Sequence, residues 1–135
     1  MKRIKPESRR GNIEEFIFSL YHGFKPKIID LSISGRITPS LRRRLTIQIN
    51  NIISRCTLCK IGATGDADIR SAFNDYRAQF SKMYLIYKST SKNNVASLEV
   101  EYIQKFYGRT LNKSTTKTTR LSSYDGFYYL YIVTD

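Results

Sequence analysis

Residues 57–77, TLCKIGATGDADIRSAFNDYR, contain the features that decide the fold. The first of them, 57–62, have the composition of a short strand, and the small residues at 63–66 favour a turn. Residues 67–78 then predict a helix that carries Arg70 in its first turns. A guanidinium group offers a planar fork of donors that fits phosphate oxygens. The stretch therefore predicts an arginine that faces a phosphate.

Strands and helices alternate on both sides of this stretch. Thr38 followed by Pro39 is a strong helix start, and it favours a helix over the strand that the alternation of Leu45, Ile47 and Ile49 would also allow. The further predictions are strands at 27–34, 83–88 and 126–133 and helices at 13–22, 38–55 and 94–107.

These elements predict an α+β fold with a small, mostly antiparallel sheet flanked by helices. A length of 135 residues suggests one compact domain. Within it, residues 1–55 are expected to form an N-terminal extension with a basic arm, helices and a short strand. Residues 56–135 are expected to form the core.

The charge of the chain is strongly positive. Lysine and arginine number 23 against 11 aspartates and glutamates, and the isoelectric point is about 9.9. A basic surface favours a polyanionic partner, because each neutralised phosphate releases counterions. We therefore expect a nucleic acid, with DNA before RNA. The sequence has no apolar run of the roughly 20 residues that a membrane span needs and no secretory signal, so we expect an intracellular protein, cytoplasmic or nuclear, without a membrane partner.

The stretch KIGATGDADIR, which begins at Lys60, resembles the second half of the GIY-YIG nuclease motif. Its first three residues stand where the family carries Tyr-Ile-Gly or Lys-Ile-Gly, and Arg70 lies at the spacing of the family's active-site arginine. Glu99, in the predicted helix at 94–107, stands where the family has its metal-binding glutamate. Asn112 occupies the place of the asparagine that follows.

The resemblance implies hydrolysis of a DNA phosphodiester with one divalent metal, Mg or Mn. Glu99 would hold the metal, Arg70 would neutralise the pentavalent phosphate, and Asn112 would support Glu99 or the phosphate. A tyrosine would activate or orient the water. The candidates for that role are Tyr76, Tyr128 and Tyr129.

The expected contacts to nucleic acid come from the resemblance and from the clusters of basic residues. A basic cluster on a predicted helix is more often a solvated face, and this alternative stays open. The candidate residues are Lys60, Arg70, Asn74, Arg77, Arg42, Arg43, Arg44, Asn112, Lys117 and Arg120.

The sequence departs from the family pattern at three places. Cys59 and Lys60 stand where the tyrosine of the second half is expected, and Asn74 stands where a His or Tyr is expected. The best match to the first half, Gly-Phe-Tyr at 126–128, lies near the other end of the chain. Pairing of this segment with the strand at 57–62 would place Tyr128 or a neighbour near the arginine.

Two alternatives to an endonuclease follow from these departures. The first is a catalytically degenerate nucleic-acid-binding module on the same scaffold. The second is a protein-interaction factor whose basic face meets an acidic partner. In both, the tyrosines near the carboxyl end would serve to pack the sheet.

The cysteines do not indicate a zinc or redox site. Cys56 and Cys59 form a C-x-x-C pair, but the sequence contains a single histidine, His22, and the pair precedes a strand and not a helix. We expect two reduced thiols, at least one of them buried. Serine or cysteine hydrolase chemistry also lacks a positioned base.

Overall fold

The fold comes from a computed structural model that describes residues 27–65, 80–112 and 126–135. These residues form strands β1 (Lys27–Ile33), β2 (Cys59–Gly65), β3 (Lys82–Ser89) and β4 (Tyr128–Thr134) and helices α1 (Pro39–Ile53) and α2 (Lys92–Lys105). The predicted α+β class is confirmed. The predicted helices at 13–22 and 67–78 lie outside the described residues. Neither described helix has the length and apolarity to cross a membrane.

The four strands form one sheet in the order β1-β3-β4-β2. β4 lies between β2 and β3 and is antiparallel to both, whereas β1 is parallel to β3 at one edge. The prediction of a mostly antiparallel sheet is therefore confirmed. The central strand is also the most apolar, and all its residues from Tyr129 to Thr134 are buried.

Each face of the sheet contributes to its own apolar cluster. α1 and α2 cover one face, and their buried side chains pack with Ile61, Ile86, Leu130 and Ile132. The opposite face carries a second cluster that includes Met83, Leu85, Tyr129, Tyr131 and Val133. Because successive side chains of a strand point to opposite faces, neighbours in β4 belong to different clusters. We call the side with α1 and α2 the helix face.

The first part of the chain is integrated with the rest. Thr38 caps α1 by accepting a hydrogen bond from Leu41 N at 3.1 Å, with Pro39 in the first turn, as predicted. The apolar stripe of α1 is buried in the helix-face cluster. The Tyr102 hydroxyl of α2 donates to the Arg42 carbonyl of α1 at 2.9 Å. Together with the pairing of β1 and β3, these contacts place residues 27–55 in the same core as the later elements.

The turn predicted at 63–66 is wrong over its first three residues. Ala63, Thr64 and Gly65 continue β2 and pair with the first half of β4. The composition favoured a turn because glycine and alanine are poor strand formers in isolation. The buried central strand overrides that tendency by offering a full set of hydrogen-bond partners.

One glycine of β2 makes room for an aromatic ring. Gly62 pairs directly with Tyr131, and the Tyr131 ring lies over it so closely that an added Cβ would overlap the ring atoms Cζ and Cε1 and the hydroxyl. Tyr131 is 3% exposed and packed in the second cluster, which restricts its movement.

Gly62→Ala is therefore expected to destabilise the protein by about 1–3 kcal/mol, the usual range for overpacking. Urea denaturation of the wild type, Gly62→Ala, Tyr131→Leu and the double variant measures this. The double variant should recover part of the loss, since leucine lacks the ring that meets the new methyl group. If the changes in unfolding free energy of the two single variants simply add in the double variant, the Tyr131 ring is not the cause of the destabilisation.

Candidate functional site

The two segments that resemble the GIY-YIG motif are neighbours in the sheet. β2 contains Lys60, Ile61 and Gly62, and β4 begins with Tyr128 and pairs antiparallel with β2. In this register Gly65, the last residue of β2, lies opposite Tyr128. The described end of β2 therefore lies beside Tyr128.

Glu99 and Glu101, two residues apart on α2, have opposite environments. Glu99 lies on the side of α2 that packs on the sheet and is 0% exposed. Glu101 lies at the surface, where its carboxylate accepts from Arg42 Nε of α1 at 3.2 Å. Burial of a carboxylate is unfavourable unless the surroundings compensate it. Glu99 is therefore the acidic group placed for a role inside the fold, whereas Glu101 joins the two helices at the surface.

Tyr128 and Tyr129 lie on opposite faces of the sheet. Tyr128 is partly buried and packs against the helix-face cluster, to which the inner side of α2 also belongs. Tyr129 is buried in the second cluster, and the Lys88 ammonium lies 5.9 Å from its ring centre and 4.1 Å from that of Phe127. Of these two tyrosines, only Tyr128 shares a face with Glu99.

Asn112 closes the outer edge of β2. Its Nδ2 donates to the Ile61 carbonyl at 2.9 Å, and its Oδ1 accepts from Ile61 N at 2.9 Å. Leu111 N donates to the Cys59 carbonyl at 2.9 Å, so two successive residues extend the hydrogen bonding of this edge. The Asn112 amide thus acts as a short additional strand, and it fixes the position of β2 relative to the end of α2.

The basic candidates on α1 differ in how they are engaged. Arg42 forms the ion pair with Glu101, while Arg43 and Arg44 are exposed and have no acidic partner within 4 Å among the residues that the structure describes. Lys60 is partly buried in β2, on the face opposite to that of Ile61. The candidates that lie outside the described residues are Arg70, Asn74, Tyr76, Arg77, Lys117 and Arg120.

A metal site among the described residues would have to be built on one carboxylate. Over 27–65, 80–112 and 126–135, no group of three or more His, Cys, Asp or Glu side chains comes together to form a cage for an ion. Mg²⁺ commonly binds through one or two carboxylates and fills its remaining positions with water and substrate phosphate oxygens. Glu99 would supply a hard oxygen donor of this type, and its side chain, which is 0% exposed, would have to become accessible to an ion.

The cysteines form a buried, protonated pair. Cys59 is buried, as expected, and Cys56 is partly buried, with its thiol donating to the Ile53 carbonyl at 3.5 Å. Cys59 Sγ also contacts the Arg109 carbonyl at 3.5 Å. Burial, with a smaller contribution from Cys56, raises the pKa of Cys59 to about 12, and burial also raises the pKa of Cys56. Both thiols are therefore poor nucleophiles at neutral pH.

No family model, curated protein or solved structure matches the chain. A function must therefore be inferred from the placement of the chain's own residues.

The Asn112 edge contact predicts a stability change that depends on pH. Asn112→Ala removes two hydrogen bonds and leaves the Ile61 main chain unsatisfied at a buried position, which costs about 1–3 kcal/mol. Asn112→Asp places an oxygen against the Ile61 carbonyl, so the folded state favours the protonated carboxyl and raises its pKa above the unfolded value. The aspartate variant should therefore gain stability relative to the wild type as pH falls through that raised pKa. Urea denaturation between pH 7 and pH 4 checks this.

Asn93→Ala, at an exposed position in the first turn of α2, is the matched control and should change stability little. If Asn112→Asp and Asn112→Ala have the same stability at every pH, the proposed contact with the Ile61 carbonyl is contradicted.

The raised thiol pKa values predict slow chemical labelling. At pH 8 only roughly one Cys59 thiol in ten thousand is ionised if its pKa is about 12. A Cys56→Ser variant, which isolates Cys59, should react with an aromatic disulfide reagent far more slowly when folded than in urea, and the folded rate should increase with pH. Equal rates in the folded and unfolded states would contradict the buried, protonated thiol.

Proposed function

We propose that the chain is a divalent-metal-dependent DNA endonuclease with a GIY-YIG-like site. The observation that carries the proposal is the burial of Glu99 on the side of α2 that packs on the sheet, because α2 covers the face on which Tyr128 lies. Buried charged groups in proteins are either paired or coordinate metals. The sheet order adds support, since it pairs the Lys-Ile-Gly strand with the strand that follows Gly126-Phe127.

In this proposal each residue has a limited task. Glu99 would hold Mg or Mn, and when bound the metal would polarise the scissile phosphate and stabilise the leaving oxygen. Tyr128 would orient the attacking water from the same face. Arg70 would neutralise the charge that develops on the phosphate. Asn112 would act indirectly, by holding β2 through Ile61.

Tyr129 and Tyr76 have weaker claims to the water-activating role. Tyr129 packs on the opposite face, so its hydroxyl would have to act from the other side of the sheet. Tyr76 is kept as a candidate because of its position shortly after Arg70 in the sequence. The positive charge of the chain supports DNA as the substrate, with RNA as the second choice.

The proposal predicts opposite behaviour for the two glutamates of α2. Glu99→Gln preserves the size of the side chain and removes the charge, so nicking of supercoiled plasmid in Mg or Mn should fall on the order of 100-fold or more. Glu101→Gln is the matched control and should cleave like the wild type, because a surface ion pair contributes little to stability. Agarose-gel time courses with and without a chelator measure both rates.

A second candidate, a nucleic-acid-binding module without cleavage, is favoured by the departures from the family pattern, since Cys59, Lys60 and Asn74 stand where the family has proton-handling residues. In that case the wild type and Glu99→Gln would leave plasmid equally uncut. The module would still bind DNA with a steep dependence on salt. That result would remove the endonuclease proposal.

A further inference from the structure

A polar stripe on α1 leads away from the candidate site. It consists of Arg44, Gln48, Asn51 and Arg55, the last of which lies just beyond the helix end at Ile53. The spacing of four, three and four residues keeps the side chains on one side of a helix. Along the helix axis the stripe spans about 16 Å at 1.5 Å per residue. It offers a cation at each end and two amides between them.

The stripe ends in a cleft of about 460 Å³ between α1 and the sheet. Ile52 and Tyr84 contribute apolar surface to this cleft, and Leu31 of β1 lines it as well. Its polar side chains come from both sides: Gln48, Asn51 and Arg55 from α1 and its end, and Lys82 from the start of β3. Cations and amide donors thus converge from two separate elements.

The cations of the cleft are available to a ligand. Among residues 27–65, 80–112 and 126–135, neither Arg55 nor Lys82 has an acidic group within 4 Å. Asp135 also lines the cleft, but its Oδ1 accepts from Thr57 N at 3.0 Å and Leu58 N at 3.1 Å. Two main-chain donors hold this carboxylate, which still contributes one negative charge to the lining against the two cations.

We propose that this cleft binds a phosphate of the nucleic-acid backbone, held by Arg55 and Lys82, with Gln48 and Asn51 as neutral donors. Charge complementarity selects the occupant, since two cations outnumber the single Asp135 carboxylate in the lining, two amides face the same space, and the chain has a net charge of +12. The inference rests on the nucleic-acid partner of the proposed function and does not depend on cleavage.

The cleft lies at the opposite end of β4 from Tyr128. Thr134 lines the cleft and pairs with Lys82, whereas Tyr128 starts the same strand and pairs with Gly65. Six residue steps along β4 correspond to about 20 Å. That distance spans about six base pairs at 3.4 Å each. A phosphate bound there would anchor the duplex well away from the scissile phosphate.

Salt dependence of binding tests the role of the cleft directly. Fluorescence anisotropy with a labelled duplex at several salt concentrations gives the slope of log K against log salt, which changes by about 0.9 for each phosphate that the protein ceases to neutralise. Because both cations hold one phosphate, we expect the Arg55→Gln, Lys82→Gln double variant to flatten the slope by about 0.9, and each single variant to flatten it by less. Lys105→Gln removes one exposed charge outside the cleft and should keep the wild-type slope.

The outcomes separate this inference from the endonuclease proposal. A wild-type slope in the double variant, with thermal melting showing that it is folded, overturns phosphate binding in the cleft even if plasmid is still cut. Flattened slopes in a protein that does not cut plasmid support phosphate binding in the cleft and remove only the endonuclease. If polyglutamate of equal charge displaces the duplex from the wild type but not from the double variant, the cleft is assigned to an acidic polypeptide and the inference is overturned. No binding at low salt removes both proposals.

Discussion

The position of β4 between β2 and β3 is the constraint on which the rest of the fold depends. Its main chain forms hydrogen bonds with both neighbouring strands, and its side chains supply the centre of both apolar clusters. The alternation of its side chains also divides Tyr128 from Tyr129 and places only the former beneath the helices. The pairing of this strand with β2 unites segments that are far apart in the sequence.

The charged side chains of the described residues differ in how deeply they are buried. Most of the basic side chains that the structure describes are at the surface, and the carboxylate of Glu101 is used there to join α1 to α2. Glu99, in contrast, is enclosed on the helix face. A protein of this charge could stabilise its surface by placing more acidic residues there, so a glutamate kept in the core is better explained by a task than by stability. This contrast gives the catalytic proposal its physical basis.

Local signals in the sequence were sufficient for the described helices and for most strand positions. Thr38 and Pro39 marked the start of α1, and the alternation in residues 83–88 marked β3. β2 was expected to end too early, because the partner that stabilises Ala63 to Gly65 lies more than sixty residues away.

The site could be predicted only in part for a related reason. The resemblance indicated Glu99, but only the packing of α2 distinguishes it from Glu101. The hydrogen bonds of Asn112 to the Ile61 main chain have no signature in the sequence, since any polar residue after a helix would give the same pattern. The cleft was missed because Arg55 and Lys82 come from distant elements; the polar spacing from Arg44 to Arg55 was a visible signal, but it became meaningful only beside β3.

The closure of the β2 edge by Asn112 has a consequence for aggregation. YYLYIV in β4 is an uncharged run of β-forming residues, the composition that forms steric zippers when several copies meet. In the folded chain it is flanked by β2 and β3, and the outer side of β2 is occupied in turn by Leu111 and Asn112. Another copy therefore finds the Cys59–Ile61 part of that edge already hydrogen-bonded. Release of the loop at 109–112 would expose first that edge and then, with β2 displaced, the most fibril-prone segment described in the molecule.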